Sequence, residues 1–312
     1  MAVMPYLEDL TIRLASGVAA LPEASRQRHA QFLLAAQRED GGFAGREGGS
    51  DLYYTGFALR GLSILGELYG EPAERAAAYL QGRMHEQETI IDFLSLIYGG
   101  ALLEMSAGLD IYASTAAPDW RRSVADALER LRCDDGGYAK GPEGRASSTY
   151  HSFLVLLCLQ LLEMPLPDEA GLIRFIRSQQ RDDGGFLEIR AGKRAGTNPT
   201  AAAIGVLRIL DALDDDTREA TIDFLAEMQN DDGGLRANTR IPFSDVLSTF
   251  TGLLTLSDLD GLDEIDIVAA RRYVERMECE QGGFYGVELD DQTDVEYTFY
   301  GLGALALLTA TE

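Results

Sequence analysis

Six segments of the chain are apolar at nearly every position, and amphipathic segments separate them. The apolar segments span 51–68, 89–105, 148–164, 198–213, 244–259 and 294–310. A helix that is apolar on all sides must be buried on all sides, so these segments predict an inner layer of helices. The amphipathic segments, such as 117–132 and 263–278, each have one polar face and predict an outer layer.

Paired glycines divide the chain into units of nearly constant length. They stand at 41–42, 136–137, 184–185, 233–234 and 282–283, so the first glycines are 95, 48, 49 and 49 residues apart. The first step is about twice as long as each of the others. A sixth unit that lacks the glycine pair is therefore expected at 71–106. A fixed period of this size is typical of a repeat protein.

Each unit predicts one helical hairpin. The glycine pair supplies the positive φ that ends the amphipathic helix, and a polar loop then leads into the apolar helix. The last apolar segment has no polar repeat to cover it, whereas an open solenoid needs such a cap. No segment shows the alternation of a strand. We therefore predict one all-α domain over 1–312, an α/α barrel of about six hairpins of ~48 residues.

The composition excludes several classes of function. A net charge of −24 repels the phosphates of DNA and RNA, so no nucleic-acid partner is expected. Cys133, Cys158 and Cys279 match neither a disulfide framework nor a zinc spacing, which favours a reducing compartment. The amino terminus lacks the features of a signal peptide, and no apolar stretch approaches the ~20 residues of a membrane span. We expect a cytoplasmic protein that does not span a membrane.

The segment Asp40–Gly66 begins with DGGF and contains GLSILG near its end. It resembles a repeat of the type II (Rab) geranylgeranyltransferase β subunit. Tandem Q-x-x-D-G-G-F units also resemble those of squalene–hopene-type cyclases, and the resemblance extends over Arg26–Ala310. It implies an α/α toroid that binds an isoprenoid or prenyl diphosphate and, in the transferases, pairs with a protein partner subunit.

In such toroids the amino ends of the inner helices surround the mouth of a central cavity. Aligning the units places a polar pair at the start of each inner helix: Asp51 with Tyr54, Thr89 with Asp92, Ser148 with His151, Thr197 with Thr200, Asp245 with Ser248, and Asp294 with Tyr297. Capping is the simpler interpretation of the first member, because Ser, Thr and Asp accept the free amides of a helix start. The larger second members favour a role in the cavity, and the near-neutral pKa of histidine makes His151 a candidate. We take Asp51 and Tyr54 as candidate substrate-binding residues, and Asp245, Asp294, Tyr297 and His151 as candidate catalytic residues.

The resemblance to the transferases implies a zinc site made of an Asp-x-Cys pair and a His. Asp245 matches the Asp, but Leu247 stands in place of the Cys and Tyr297 in place of the His. Neither replacement binds zinc readily, so no zinc is expected. Magnesium bound together with a diphosphate is left open.

The resemblance to the cyclases implies a catalytic acid within a D-x-D-D-T-A sequence. The last unit reads DVEYTF from Asp294, which keeps the first Asp and the Thr and has Glu296 in place of the middle acid. Glu296 is therefore the candidate proton donor of a cyclase-like reaction. A solvated carboxylate is the alternative interpretation.

Two neighbouring loops carry the densest group of basic residues in this acidic chain: Arg190, Lys193, Arg194, Arg236 and Arg240. Basic side chains beside helix amino ends form a good phosphate site. The resemblance places the diphosphate pocket of the transferases in the same two loops. We expect a diphosphate here, and charge that serves only solvation is the alternative.

Aromatic residues of the inner segments can line an apolar cavity: Tyr53, Phe57, Tyr98, Phe153, Phe250, Phe299 and Tyr300. Three functions remain open. The first is a prenyltransferase-like protein that binds an isoprenoid, with an altered zinc site and a possible transferase activity. The second is a terpene-cyclase-like enzyme that uses an acid near Glu296, and the third is a non-catalytic scaffold that binds a lipid or a protein.

Overall fold

The structure, a computed structural model, describes residues 4–84, 89–113 and 119–309. Positions 117–118 of a predicted outer helix, 85–88 of the predicted glycine-free unit and 310–312 at the end of the chain lie outside these ranges.

Six helices form a closed inner ring. They are α3 (Leu52–Leu65), α5 (Ile90–Ala107), α7 (Thr149–Leu161), α9 (Thr197–Ile209), α11 (Val246–Asp258) and α13 (Val295–Thr309). Each packs against the next along the chain, and α13 packs against α3, which closes the ring. The predicted toroid of helical hairpins is thereby confirmed.

An outer helix precedes each inner helix. The outer helices are α2 (Glu23–Ala35), α4 (Gly70–Gly82), α6 (Trp120–Glu129), α8 (Glu169–Ser178), α10 (Asp215–Ala226) and α12 (Ile267–Arg276), and a 3₁₀ turn, Leu262–Glu264, precedes α12. Their apolar faces join one continuous core with the inner helices. Leu33 of α2, for example, is fully buried, and burial of one leucine stabilises the fold by about 1.5–3 kcal/mol.

Short antiparallel strands connect the glycine turns to the inner helices in three of the units. They are β1 (Phe43–Ala44) with β2 (Ser50–Asp51), β3 (Tyr138–Ala139) with β4 (Ser147–Ser148), and β5 (Phe284–Tyr285) with β6 (Thr293–Asp294). The sequence predicted no strands, because two residues are too few to show an alternating pattern. The pairing places the first aromatic residue after the glycines opposite the N-cap of the inner helix, as in Phe43 opposite Asp51.

The first glycine of each pair permits a close contact with the next hairpin. Gly184 has a φ of +84°, and a Cβ there would lie 2.0 Å from the carbonyl oxygen of Ala220 in the following outer helix. Gly282 in the last unit has a φ of +97°, and a Cβ there would lie 2.7 Å from the carbonyl oxygen of Arg28 in α2. The last glycine turn therefore packs against the first outer helix, α2, in the same way as an internal turn packs against the outer helix that follows it.

A buried hydroxyl in four of the inner helices accepts the backbone amide of the residue after the glycine pair. Thr55, Ser152, Thr200 and Thr249 do so at 2.8–2.9 Å. Thr200 therefore corresponds to Ser152, and the predicted pairing of Thr197 with Thr200 was wrong by one residue. Gly196 is the N-cap of α9, and a glycine has no side chain that marks such a position in the sequence.

Helix α1 (Tyr6–Ala19) precedes the repeats and covers the carboxyl end of the inner ring. It packs on α13 and α3, and a Cβ at Gly17 would lie 2.3 Å from the carbonyl oxygen of Ala306. Its Thr11 hydroxyl bonds the hydroxyl of Tyr98 on α5, and the ring of its Tyr6 contacts Phe153 on α7 with ring centres 6.0 Å apart. The lumen of the ring thus has a floor that the repeat pattern did not predict.

A buried carboxylate anchors this floor. Asp258, at the end of α11, has a side chain only 3% exposed. It accepts hydrogen bonds from the Tyr6 hydroxyl at 2.8 Å and from Arg13 at 2.7 Å, and it pairs with Arg208 of α9 at 2.6 Å. Removing one partner of a buried charge pair is strongly destabilising, so these contacts hold α1 firmly against the ring.

Helix α5 is long and apolar enough to cross a membrane by length and composition alone. With 18 residues it is as long as the longest apolar segment of the sequence, 51–68, and close to the ~20 residues of a membrane span. In the structure 56% of its residues are buried, and it packs between α3 and α7 in the ring.

Candidate functional site

The two predicted basic loops meet around an open pocket of about 760 Å³ beside the amino ends of α9 and α11. The pocket is lined by Lys193, Arg194, Asn238 and Arg240. The loops are joined where Arg194 Nη1 donates to Thr239 Oγ1 at 3.2 Å. Within the described residues, no carboxylate lies within 4 Å of the charged nitrogens of Lys193, Arg194 or Arg240. The pocket is therefore a site of uncompensated positive charge.

The other predicted cations of these loops lie apart from the pocket. Arg236 donates to the carbonyl oxygen of Glu227 at 3.1 Å, and Arg190 is exposed to solvent. Neither lines the pocket. The structure thus brings three of the five predicted basic residues together.

The three predicted aspartates all cap inner helices. Asp51, Asp245 and Asp294 each accept, through Oδ1, the amide three residues further on, at 2.7, 2.6 and 2.9 Å. Burial raises the pKa of Asp51 and of Asp245 above the ordinary value of an aspartate. Capping accounts for the geometry of all three, and their roles in binding or catalysis stay predictions.

Asp294 has a second partner, Arg46. Arg46 Nε donates to Asp294 Oδ2 at 2.8 Å, and its Nη1 donates to Asp290 Oδ1 at 2.9 Å. Its Cζ also lies 5.5 Å from the centre of the Tyr297 ring. Burial and the neighbouring acids raise the pKa of Tyr297 to about 12. Arg46 is therefore already neutralised by two carboxylates.

His151 belongs to a small polar chain. Its Nδ1 lies 2.8 Å from Ser148 Oγ, and that hydroxyl donates in turn to Glu188. Since the serine proton points to Glu188, His151 carries its proton on Nδ1 and keeps Nε2 as an acceptor. Burial lowers the pKa of His151, and Lys140 lowers it further, so the neutral form predominates at pH 7.

Aromatic rings from three inner helices line one side of the lumen. The centre of the Phe57 ring lies 5.0 Å from that of Tyr53 and 5.2 Å from that of Tyr300. The Phe250 ring lies 5.5 Å from Tyr300 and 5.6 Å from Phe299. Tyr53 and Tyr300 keep partial exposure although neighbouring helices surround them, so the lumen is accessible to solvent.

Glu296 faces this aromatic wall near the amino end of α13. The Tyr53 hydroxyl donates to Glu296 Oε1 at 2.7 Å. Burial raises the pKa of Glu296, while the hydrogen bond from Tyr53 opposes the shift. The predicted alternative of a simply solvated carboxylate does not describe this half-buried position. Tyr54 lies elsewhere, against Gly45, where a Cβ would be 2.4 Å from its ring.

Arg60 is a residue of the lumen that the sequence pattern did not mark. Its Cζ lies 4.8 Å from the centre of the Phe57 ring and 5.0 Å from that of Tyr98. In the sequence it is a single arginine within an apolar helix. Long basic side chains on such helices commonly extend to solvent, and no spacing pattern distinguishes this one.

Among the described residues, no group of three or more His, Cys, Asp or Glu side chains is arranged to hold a metal ion. Two of the positions implied for zinc are Leu247, which has no donor atom, and Asp245, whose carboxylate is engaged by the amide and hydroxyl of Ser248. These residues do not fit a zinc ion.

The sequence matches the model of one protein family, described as "Prenyltransferase alpha-alpha toroid domain", over residues 18–88, 102–238 and 201–312. Together these matches cover most of the chain. No curated protein matches it significantly.

Solved structures of similar fold come from enzymes of different kinds. The protein geranylgeranyltransferase-I of Candida albicans, complexed with GGPP, aligns with a TM-score of 0.72 and 17% identity over 90% of both chains. The type II terpene cyclase MstE of Scytonema aligns with a TM-score of 0.63 and 15% identity over 95% of this chain and 98% of that one. A glycosidase in complex with glucose aligns at 0.57 and 13%, over 93% and 98%. At these identities the similarity shows the fold alone.

Proposed function

The chain belongs to the prenyltransferase alpha-alpha toroid family, and we propose that it binds a prenyl diphosphate. The diphosphate occupies the pocket of Lys193, Arg194 and Arg240, and the isoprenoid chain extends into the aromatic lumen. The observation that carries this proposal is a cluster of three cations that have no carboxylate partner among the described residues, in a chain of net charge −24. Lys and Arg bind phosphate oxygens through charge-assisted hydrogen bonds, which are about twice as strong as neutral ones.

The geranylgeranyltransferase of similar fold was solved with GGPP, which supports this class of ligand. The half-buried rings of Tyr53 and Tyr300, packed on Phe57 and Phe250, supply apolar surface for an isoprenoid chain. Burying such a chain stabilises the complex by about 0.8 kcal/mol for each CH₂ group. Affinity for the tail and affinity for the head therefore come from separate parts of the site.

Calorimetric titration with geranylgeranyl diphosphate and with geranylgeraniol tests the proposal. We expect Lys193→Ala/Arg194→Ala to weaken diphosphate binding by about 100-fold or more, because the two charge-assisted contacts together contribute ~3–6 kcal/mol. Binding of the alcohol should not change. Equal losses for the two ligands would show that this pocket is not the diphosphate site.

The matched control is Lys140→Ala/Arg145→Ala. It removes the same residue types from the corresponding loop of the preceding unit, where both side chains are exposed. The control should bind the diphosphate as the wild type does, because these residues do not line the pocket. If the control variant loses as much diphosphate affinity, the effect comes from the net charge of the chain and not from this pocket.

We propose further that the protein binds its ligand without zinc. Leu247 and Tyr297 at two implied ligand positions support this, as does the engagement of Asp245 by Ser248. Elemental analysis of the purified protein should find far less than one zinc per chain. A stoichiometric zinc content would contradict the proposal and direct attention to His151.

Glu296 supports a second candidate function, acid-catalysed cyclisation of an isoprenoid. Its protonated carboxyl would transfer the proton to a trisubstituted alkene, and the resulting cation would close a ring. A carbon next to the final cation would then lose a proton to water, which completes the isomerisation, and the Glu296 carboxylate would regain its proton from solvent. The supporting observation is a carboxyl group of raised pKa that faces an aromatic wall. The cyclase neighbour binds geranylgeranyl dihydroxybenzoate as its substrate, which supports a ligand of this kind.

Gas chromatography and mass spectrometry of geranylgeraniol incubated with the protein test this candidate. Cyclic isomers should form with the wild type and be lost in Glu296→Gln. Glu288→Gln, which changes an exposed acid of the preceding loop, is the control and should keep the activity. Failure of the wild type to form any cyclic isomer would remove this candidate and leave the binding function.

A further inference from the structure

Arg60 lies on the face of α3 that is turned to the lumen. Tyr53, Phe57 and Arg60 are spaced i, i+4 and i+7, so they share one face of the helix. The first two belong to the aromatic wall, and Arg60 follows them toward the floor. Its Cζ lies 5.0 Å from the ring of Tyr98, whose hydroxyl bonds Thr11 of the floor helix. The guanidinium therefore stands at the inner end of the lumen.

This guanidinium has no polar partner in the part of the chain that the structure describes. It donates no hydrogen bond there, no carboxylate lies within 4 Å, and its Nε is fully buried without an acceptor. Contacts with the rings of Phe57 and Tyr98 offset part of the cost of burying a cation. A buried charge ordinarily also has a counter-ion and hydrogen bonds.

Two tyrosines lie near Arg60: Tyr300, which is half-buried, and Tyr150, which is 40% exposed and lies at the amino end of α7. Tyr150 of α7 and Tyr300 of α13 make no hydrogen bond through their hydroxyls to any described residue. Burial raises the pKa of both, while the nearby Arg60 opposes the shift, so both stay protonated donors. Glu296 is close enough for Arg60 to lower its pKa, but no ion pair within 4 Å joins the two, and Tyr53 donates to Glu296 Oε1. Among the described residues, the polar groups around the guanidinium are thus mainly hydrogen-bond donors, and no carboxylate makes direct contact with it.

We propose that Arg60 forms the inner end of a carboxylate-binding site, which takes an amphiphilic organic acid whose carboxylate pairs with the guanidinium while its apolar body packs on the aromatic wall. The planar guanidinium can donate two parallel hydrogen bonds to a carboxylate. A single cation matches a monoanion, whereas a diphosphate carries more negative charge than one arginine balances. The site is separate from the basic pocket at the mouth and does not depend on a diphosphate binding there.

Binding measurements with acid and alcohol pairs test this assignment. The probes are geranylgeranoic acid with geranylgeraniol, and palmitic acid with hexadecanol, titrated at pH 7.5. The wild type should bind at least one acid about tenfold or more tightly than its matched alcohol. Arg60→Met, which keeps the length and loses the charge, should bind both members of the pair equally. Lys193→Ala/Arg194→Ala, at the mouth, should keep the preference of the wild type.

Stability measurements separate this role from a structural one. Without ligand, Arg60→Met should melt at the same temperature as the wild type or higher, because the variant lacks a cation whose Nε is buried without an acceptor among the described residues. Arg60→Lys should keep part of the preference for the acid. The assignment is wrong if the wild type binds no acid more tightly than its alcohol. It is also wrong if Arg60→Met keeps the preference, whether or not its melting temperature falls.

Discussion

Two joints of the ring use different chemistry at the same position of the repeat. Gln229 joins the fifth hairpin to the sixth: its Nε2 donates to the carbonyl oxygen of Asp266 at 2.9 Å, and its Oε1 accepts the Asp266 amide at 2.8 Å. At the seam between the sixth hairpin and the first, the corresponding residue is Glu278. It accepts from His29 Nε2 at 3.0 Å and from Ser25 at 3.1 Å, and it pairs with Arg28.

The difference follows from the separation along the chain. Gln229 reaches a residue 37 positions away, whereas Glu278 and Arg28 are 250 positions apart. Closing a longer loop costs more conformational entropy. Charge-assisted bonds are stronger than neutral ones, and the seam has a second set of them, between Arg46 and the acids Asp290 and Asp294. The seam should therefore be the joint that responds most to substitution and to pH.

Arg46→Met should have the largest effect. It leaves Asp294, whose side chain is 4% exposed, without its cation, while Arg46 itself is 27% exposed. We expect the free energy of unfolding to fall by about 2 kcal/mol, less than for a fully buried pair because solvent screens the interaction. Urea denaturation at pH 7 measures the change. Arg145→Met, on an exposed loop, is the control. If Arg46→Met destabilises the protein no more than this control, the ion pair of Arg46 with Asp294 does not stabilise the seam.

Glu278→Gln should have a smaller effect and should remove a pH dependence. The hydrogen bond from His29 lowers the pKa of Glu278 to about 2. A carboxyl whose pKa is lowered by folding contributes stability above its unfolded pKa of about 4.3 and loses it as the pH falls toward the folded value. Wild type and variant should therefore differ at neutral pH, by about 1 kcal/mol for this partly exposed group. They should converge between pH 4.5 and about 2, and a constant difference in denaturation curves across this range would contradict the pairing.

Gln229→Ala should cost less than Arg46→Met, about 1–1.5 kcal/mol. It removes three neutral hydrogen bonds, two with the backbone of Asp266 and one to the carbonyl oxygen of Gly233, each at the low end of about 0.5–1.5 kcal/mol because solvent competes for them. The loss of stability should be the same at pH 7 and pH 4, because the side-chain amide of Gln229 and the backbone groups that it bonds do not titrate. A loss as large as that of Arg46→Met would remove the distinction between the two joints.

Asp51→Asn should have the smallest effect, below about 0.5 kcal/mol, because Asn caps a helix about as well as Asp. Asp294→Asn at the seam should cost more, since it also weakens the bond to Arg46. Melting temperatures of the two variants measure this contrast. If Asp51→Asn and Asp294→Asn lower the melting temperature equally, the bond from Arg46 to Asp294 does not contribute to stability. Ligand titration of Asp245→Asn shows separately whether that carboxylate has any role beyond capping.

The sequence predicted those features that repeat. The hydrophobic pattern and the glycine spacing predicted the ring, and the charge density of two loops predicted the pocket of Lys193, Arg194 and Arg240. The floor helix lies outside the repeats, so no internal comparison marked it. Asp258 and Arg60 acquire their environments from residues distant in sequence, and neither stands in a recognisable pattern. The alignment of one unit was displaced by one residue because its N-cap is Gly196, which lacks the polar side chain by which an N-cap is recognised in the sequence.

The contact at the first glycine of each pair also bears on how many hairpins the ring can contain. Gly184 meets α10, and Gly282 meets α2, through the same close approach of backbone to backbone. The angle between neighbouring hairpins is thus set at the five corners that follow a glycine pair, and a ring with nearly equal corners closes at only one number of sides. Gene duplication that added a seventh hairpin would leave the ends unable to meet unless every corner changed. The ring is therefore expected to vary by altering its loops and not by gaining or losing sides.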